Sequence, residues 1–193
     1  RLGMGTAGLP NPSREVEGVV AMVIDATRNF DQPLAADRLF DWHAALFPTG
    51  RSGIRKITVG AWRTGEAGPM QVVSGPVGKE RVHFEAPDAA RLDGEMQEFL
   101  SWFGGGSGVD PVIKAAVAHF WYVTIHPFAD GNGRIARAIA DMALSQADGS
   151  KDRFYSMSAG IEAERKEYYI QLESAQRGSL DITAWIAWFL GCL

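Results

Sequence analysis

From Asp110 to Ile125 the sequence sets a helix start before a run that is apolar on nearly every side. Asp110 suits the N-cap, where a carboxylate accepts from free N–H groups, and Pro111 is pre-set for the first helical position. Val112, Ile113, Val117, Phe120, Trp121 and Ile125 then cover most of the circumference. This predicts a helix enclosed by others, because a surface helix keeps one wet face. The run breaks at His126 to Gly133, and helical spacing resumes with Arg134, Ile135, Ile139, Met142 and Leu144. A buried helix, a short loop and a second helix are therefore the frame that everything else must fit.

The flanking segments supply the covering layers. Ser13 can cap a helix from Arg14 to about Asn29, with Val16, Val19, Val20, Val23 and Ile24 as its expected buried stripe. Another helix follows Pro33, from about Ala35 to Leu46. Between 50 and 90, three short β-prone pieces (55–60, 71–75 and 81–85) are punctuated by Gly and Pro, which predicts a small hairpin or flap. A helix from about Asp88 to Phe103 ends in a glycine-rich linker at 104–108, and two more are expected at roughly 160–177 and 182–190. The fold class is mainly α, a helical bundle with one β-hairpin flap. In 193 residues there is room for one domain, at 14–193, behind an irregular leader at 1–13. The chain opens on Arg1, so the leader reads as the remnant of a longer N-terminal region.

Composition removes several function classes. The formal net charge is −4 and no basic run is present, so the footprint of nucleic-acid binding is missing. Cys192 is the only cysteine, which excludes an internal disulfide and a thiolate metal cluster. No apolar run reaches bilayer length and no secretory signal opens the chain, so the expected setting is cytoplasmic, away from membranes.

Chemistry concentrates between His126 and Arg137. Gly131, Asn132 and Gly133 can take positive φ and turn successive N–H groups into one concavity. That concavity opens a helix, whose positive dipole end favours an anion. Arg134 and Arg137 lie three apart and add two phosphate-binding forks. Asp130 would repel a phosphate unless a cation lay between them, which points to Mg²⁺ shared by carboxylate and phosphates. His126, at the other lip, can take a proton near neutral pH. Each element alone has a bland reading, as a structural histidine, a turn or a solvated arginine face. Eight specified positions occurring together reverse that judgement.

The segment His126-Pro127-Phe128-Ala129-Asp130-Gly131-Asn132-Gly133-Arg134-Ile135-Ala136-Arg137 resembles the Fic signature, His-x-Phe-x-(Asp/Glu)-Gly-Asn-Gly-Arg-x-x-Arg, at every specified position. The stretches 14–63, 68–103 and 164–190 also look like the Fic core. The resemblance implies an α-helical enzyme that binds ATP with Mg²⁺ and transfers AMP to a Ser, Thr or Tyr hydroxyl of a target protein. It further implies His126 as general base, Asp130 as the Mg²⁺ ligand, and Gly131, Asn132 and Gly133 as the phosphate cradle. Arg134 would meet the β-phosphate and Arg137 the γ-phosphate. Tyr168, Tyr169 and Gln176 fall where the family builds its adenine pocket, and the 71–84 flap would present the target by strand pairing.

Other histidines carry no chemistry at this level. His43, His83 and His119 lack zinc spacing, and His119 is expected to be a hydrogen-bonded core residue. Two alternatives to AMP transfer stay open: phosphocholine transfer on the same scaffold, and a non-catalytic nucleotide-binding module. Removal of AMP would need an assisting glutamate that is not evident. Phosphorylating relatives carry Lys where this chain has Gly133. Many Fic proteins restrain themselves through (Ser/Thr)-x-x-x-Glu-(Gly/Asn), which Ser13-Arg14-Glu15-Val16-Glu17-Gly18 matches formally. Glu17 also suits the N-terminal dipole of its own helix, so the expectation is that Arg137 is free of an internal glutamate.

Overall fold

The structure is a computed structural model that describes residues 13–76, 78–106, 108–151 and 157–193. Among these, the helices in chain order are α1 (Arg14–Arg28), α2 (Ala36–Leu46), α3 (Leu92–Gly104), α4 (Pro111–Ile125), α5 (Asn132–Asp148), α6 (Met157–Ala163), α7 (Arg165–Arg177) and α8 (Thr183–Gly191). Four short strands, β1 (Arg51–Ser52), β2 (Arg55–Lys56), β3 (Gln71–Ser74) and β4 (Arg81–Glu85), form two separate antiparallel pairs, β1 with β2 and β3 with β4. The mainly α architecture with one small flap is the expected one.

The α4–α5 pair forms the centre, and it makes the most extensive contact between any two described elements. Asp110 caps α4 as its sequence demands, its carboxylate accepting from the N–H groups of Val112 at 2.9 Å and Ile113 at 3.2 Å. Both helices contribute small buried side chains to the core, Ala115, Ala116 and Ala118 from α4 and Ala136, Ala138, Ala140 and Ala143 from α5. Such small side chains let two helices approach closely. Trp185 of α8 covers α4 and donates its indole N–H to the Ala116 carbonyl at 2.9 Å. On the opposite flank, α1 packs against both α2 and α5.

The face that α1 buries differs from the expectation. Gly18, Met22 and Ala26 point inward, with Val19 and Val23 half-buried beside them. Val16, Val20 and Ile24 remain 52%, 48% and 43% exposed. The cause is steric. At Gly18 the helix runs so close to α2 that a Cβ would overlap the Ala45 carbonyl oxygen. That contact fixes the rotation of α1, and residues two positions away then lie about 200° round the helix.

Further differences have local causes. The helix expected at 160–177 is two helices broken at Glu164, whose carboxylate accepts from the Trp188 indole at 2.8 Å. The strand expected to reach Gly60 stops at Lys56, because Ile57 turns into the core and the Gly60 N–H goes to His43 at 3.3 Å. The helix expected from Asp88 opens as a 3₁₀ turn, Ala89–Arg91, before α3. Of the leader expected at 1–13, all but Ser13 lies outside the described residues. No described helix is long and apolar enough to cross a membrane.

Candidate functional site

The loop between α4 and α5 is built to hold one shape. His126 ends α4 in the left-handed region at φ 53°, the only non-glycine described residue with positive φ. Its N–H closes on the Tyr122 carbonyl at 3.1 Å, and its ring Nδ1 lies 3.1 Å from the Val123 carbonyl. A carbonyl only accepts, so Nδ1 carries the hydrogen and Nε2 keeps its lone pair. Phe128 then plunges into the core, fully buried, and stacks parallel to His43 at 4.1 Å, with Trp62 tilted against it at 5.1 Å.

Asn132 staples the loop shut. Its Oδ1 accepts from the Phe128 N–H at 2.9 Å and its Nδ2 donates to the Phe128 carbonyl at 2.8 Å. Gly131 sits at φ 83°, where an added Cβ would also meet the Phe47 ring at 2.9 Å. The Asp130 carboxylate accepts from the Gly131 N–H at 2.5 Å and from the Ser52 hydroxyl. Helix α5 begins at Asn132, so its first N–H groups have no intrahelical partner.

Three residues that local spacing could not reveal hold this loop from outside. Arg63 is buried and donates from its backbone to the Pro127 carbonyl at 2.8 Å. Its side chain donates to the His126 carbonyl at 2.9 Å and to the Pro87 carbonyl. His43, besides stacking on Phe128, places Nε2 3.2 Å from the Asp130 carbonyl and accepts from Gly60 through Nδ1. Nε2 is therefore the protonated nitrogen. Ser52, on β1, meets the Asp130 carboxylate. All three come from more than 60 residues upstream of their loop partners, and only the tertiary fold brings them in.

Electrostatics favours a neutral imidazole at His126. Burial lowers its pKa and the Arg63 cation lowers it further, against the opposing Val123 hydrogen bond. Burial likewise pushes His43 down to about 4 and His119 to about 3.

His126, Asp130, Gly133, Arg137, Tyr168, Tyr169 and Gln176 line one cavity of about 1210 Å³, roofed by the β3–β4 hairpin. The volume exceeds what a drug-sized ligand needs. Gly131 and Asn132 lie behind that lining, and Arg134 stacks over the Phe47 ring at 4.8 Å. The Asn132 side chain is thus spent on the loop, leaving its backbone N–H for a ligand. Tyr168 is a core residue whose hydroxyl meets His119 Nε2 at 3.2 Å, as the core assignment of His119 requires. Tyr169 is half exposed, and Gln176 donates to the Thr124 hydroxyl at 3.2 Å. Among the described residues Arg137 forms no ion pair, and Glu17 stands exposed in the first turn of α1. No group of three or more described His, Cys, Asp or Glu side chains is placed to hold a metal by itself.

Comparison with known proteins gives the frame. Protein adenylyltransferase fic-1 of Caenorhabditis elegans is 33% identical over 88 residues, 45% of this chain and 16% of that protein. The chain therefore spans a minor part of that relative's length. A crystal structure of a Fic family protein from Desulfovibrio desulfuricans G20 superposes with a TM-score of 0.72 at 24% identity, covering 95% of this chain and 52% of the other. IbpAFic2, in a structure where it is covalently tethered to Cdc42, superposes with a TM-score of 0.59 at 18% identity, covering 93% of this chain and 54% of the other. The Fic/DOC family model matches residues 33–144, more than half of the chain, and with the loop geometry above it follows that this chain belongs to the Fic/DOC family.

Proposed function

We propose that the chain transfers AMP from ATP to a Ser, Thr or Tyr hydroxyl of a target protein, with His126 as general base. One observation carries the reading: Val123 fixes the His126 tautomer, leaving a neutral Nε2 at the lip of the cavity. The oxygen of the incoming hydroxyl bonds to the α-phosphorus as its proton passes to Nε2. The bond from that phosphorus to the bridging oxygen breaks, and pyrophosphate leaves. Gly131, Asn132 and Gly133 cradle the phosphates at the start of α5, with Arg134 on the β-phosphate and Arg137 on the γ-phosphate.

Asp130 fits a Mg²⁺ that also draws on phosphate oxygens. Its carboxylate lines the cavity, and each of its oxygens accepts only one protein hydrogen bond, so lone pairs remain. When bound, Mg²⁺ neutralises phosphate charge that Asp130 would otherwise repel. Tyr169 and Gln176 flank the adenine, with Tyr168 as the core floor beneath them. The β3–β4 hairpin presents the target segment through its open strand edge. A protein target agrees with the Cdc42-tethered IbpAFic2. With Cys192 as its only cysteine, the chain suits a reducing cytoplasmic setting.

The test is incubation of the protein with labelled ATP, Mg²⁺ and a cell lysate. AMP-labelled protein bands are expected, and none with His126→Ala. An unlabelled lysate, with ATP bound all the same, would leave a nucleotide-binding module instead.

A further inference from the structure

The hairpin carries a second hydrogen-bonded chain that AMP transfer to a target does not use. A β-bulge between Val72 and Val73 skips His83 in the ladder, pairing Val73 with Val82 and Ser74 with Arg81. Ser74 Oγ lies 2.6 Å from His83 Nε2, and His83 Nδ1 lies 2.6 Å from Glu173 Oε2 on α7. Chemistry settles where the protons are. A carboxylate only accepts, so Nδ1 carries the hydrogen. In the neutral ring Nε2 is then the acceptor, and the Ser74 hydroxyl donates to it. Glu173 is held ionised, its pKa lowered by the His83 hydrogen bond and by Arg81. Hydroxyl, imidazole and carboxylate in this order are the arrangement that turns a serine into a nucleophile.

Other contacts also dock the hairpin. Arg81 already bonds Glu173 at 2.8 Å, while Arg177 donates to the His83 carbonyl at 2.9 Å and to the Val82 carbonyl at 2.7 Å. Ser74 is exposed and adds nothing to that latch. Ser74, His83 and Glu173 do, however, line the same cavity as His126, Asp130 and Gly133.

We infer that Ser74 is itself an acceptor, a hydroxyl activated by His83 and Glu173 that takes AMP from the nucleotide bound in the shared cavity. The inference rests on the AMP-transfer reading given above. In the step, the Ser74 Oγ–phosphorus bond forms and the bond from the α-phosphorus to the bridging oxygen breaks. Pyrophosphate leaves, and the hydroxyl proton goes to His83 Nε2, with Glu173 stabilising the imidazolium.

Two probes test it on the whole chain. A fluorophosphonate, which needs no nucleotide, should label Ser74 faster than any other serine, by about tenfold or more. Labelling should persist in His126→Ala and should fall about tenfold in His83→Gln and Glu173→Gln. With ATP and Mg²⁺, peptide mass spectrometry should find AMP on Ser74 of the wild type and not of His83→Gln. If Ser74 reacts with the phosphonate no faster than other serines, or if His83→Gln and Glu173→Gln label as fast as the wild type, the relay is overturned. If lysate proteins gain AMP while Ser74 stays bare, the acceptor role falls and AMP transfer stands. If the phosphonate labels Ser74 but no protein gains AMP, both readings fall together.

Discussion

The proposed role of His126 as base rests on neighbours that spend its other options. Val123 takes the Nδ1 hydrogen, Tyr122 takes the N–H, and Arg63 takes the carbonyl. Replacing Arg63 by Met removes the cation and leaves the His126 and Pro87 carbonyls without it. Transfer is expected to fall by about tenfold or more, with ATP affinity little changed. Because the Arg63 charge holds the His126 pKa down, the acid limb of the pH–rate profile should also move upward; an unchanged profile would assign Arg63 to packing alone. Gly131 tests the loop from the other side. At φ 83° with the Phe47 ring 2.9 Å from any Cβ, Gly131→Ala should cost about 1–3 kcal/mol, measured by urea unfolding. A stability within a few tenths of wild type would contradict the tight loop.

Helix contacts make a prediction opposite in sign to propensity. Gly→Ala inside a helix ordinarily gains close to 1 kcal/mol. At Gly18 the added methyl would strike the Ala45 carbonyl oxygen, so Gly18→Ala should instead lose roughly 2 kcal/mol. Thermal unfolding decides the sign. The same helix shows where sequence periodicity runs out. Val16, Val20 and Ile24 are apolar at helical spacing, yet a single glycine turned the helix away from them. The family was legible in the loop from His126 to Arg137 because its specified residues are consecutive in sequence. Arg63, His43 and Ser52 were not, since each acts on a carbonyl or carboxylate more than 60 residues away. The hairpin was visible as β-prone pieces, but the bulge at His83 and its contact with Ser74 have no local signature.

At the scale of the molecule, two neutral histidines are sealed inside the bundle. His43 and His119 are fully buried, with pKa values near 4 and 3 against 6.5 in an open chain. Below pH 6.5 the unfolded chain binds protons that the folded one refuses, so stability falls as pH drops from 6.5 towards 4. For His43 alone the loss is on the order of 3 kcal/mol across that window. Urea unfolding at pH 7 and pH 4.5 should show it, and His119→Phe should flatten part of the slope; equal stability at both pH values would mean that the rings protonate in place. The same bundle holds the hydrogen-bonded loop from His126 to Asn132 beside the cavity roofed by the hairpin. The most direct measurement pairs ATP titration calorimetry with AMP transfer for His126→Ala. A proton-transfer role for His126 predicts a transfer rate reduced by about a hundredfold or more, with ATP affinity changed by less than about 1 kcal/mol. Loss of ATP binding by a folded variant, or transfer that survives the substitution, would contradict it.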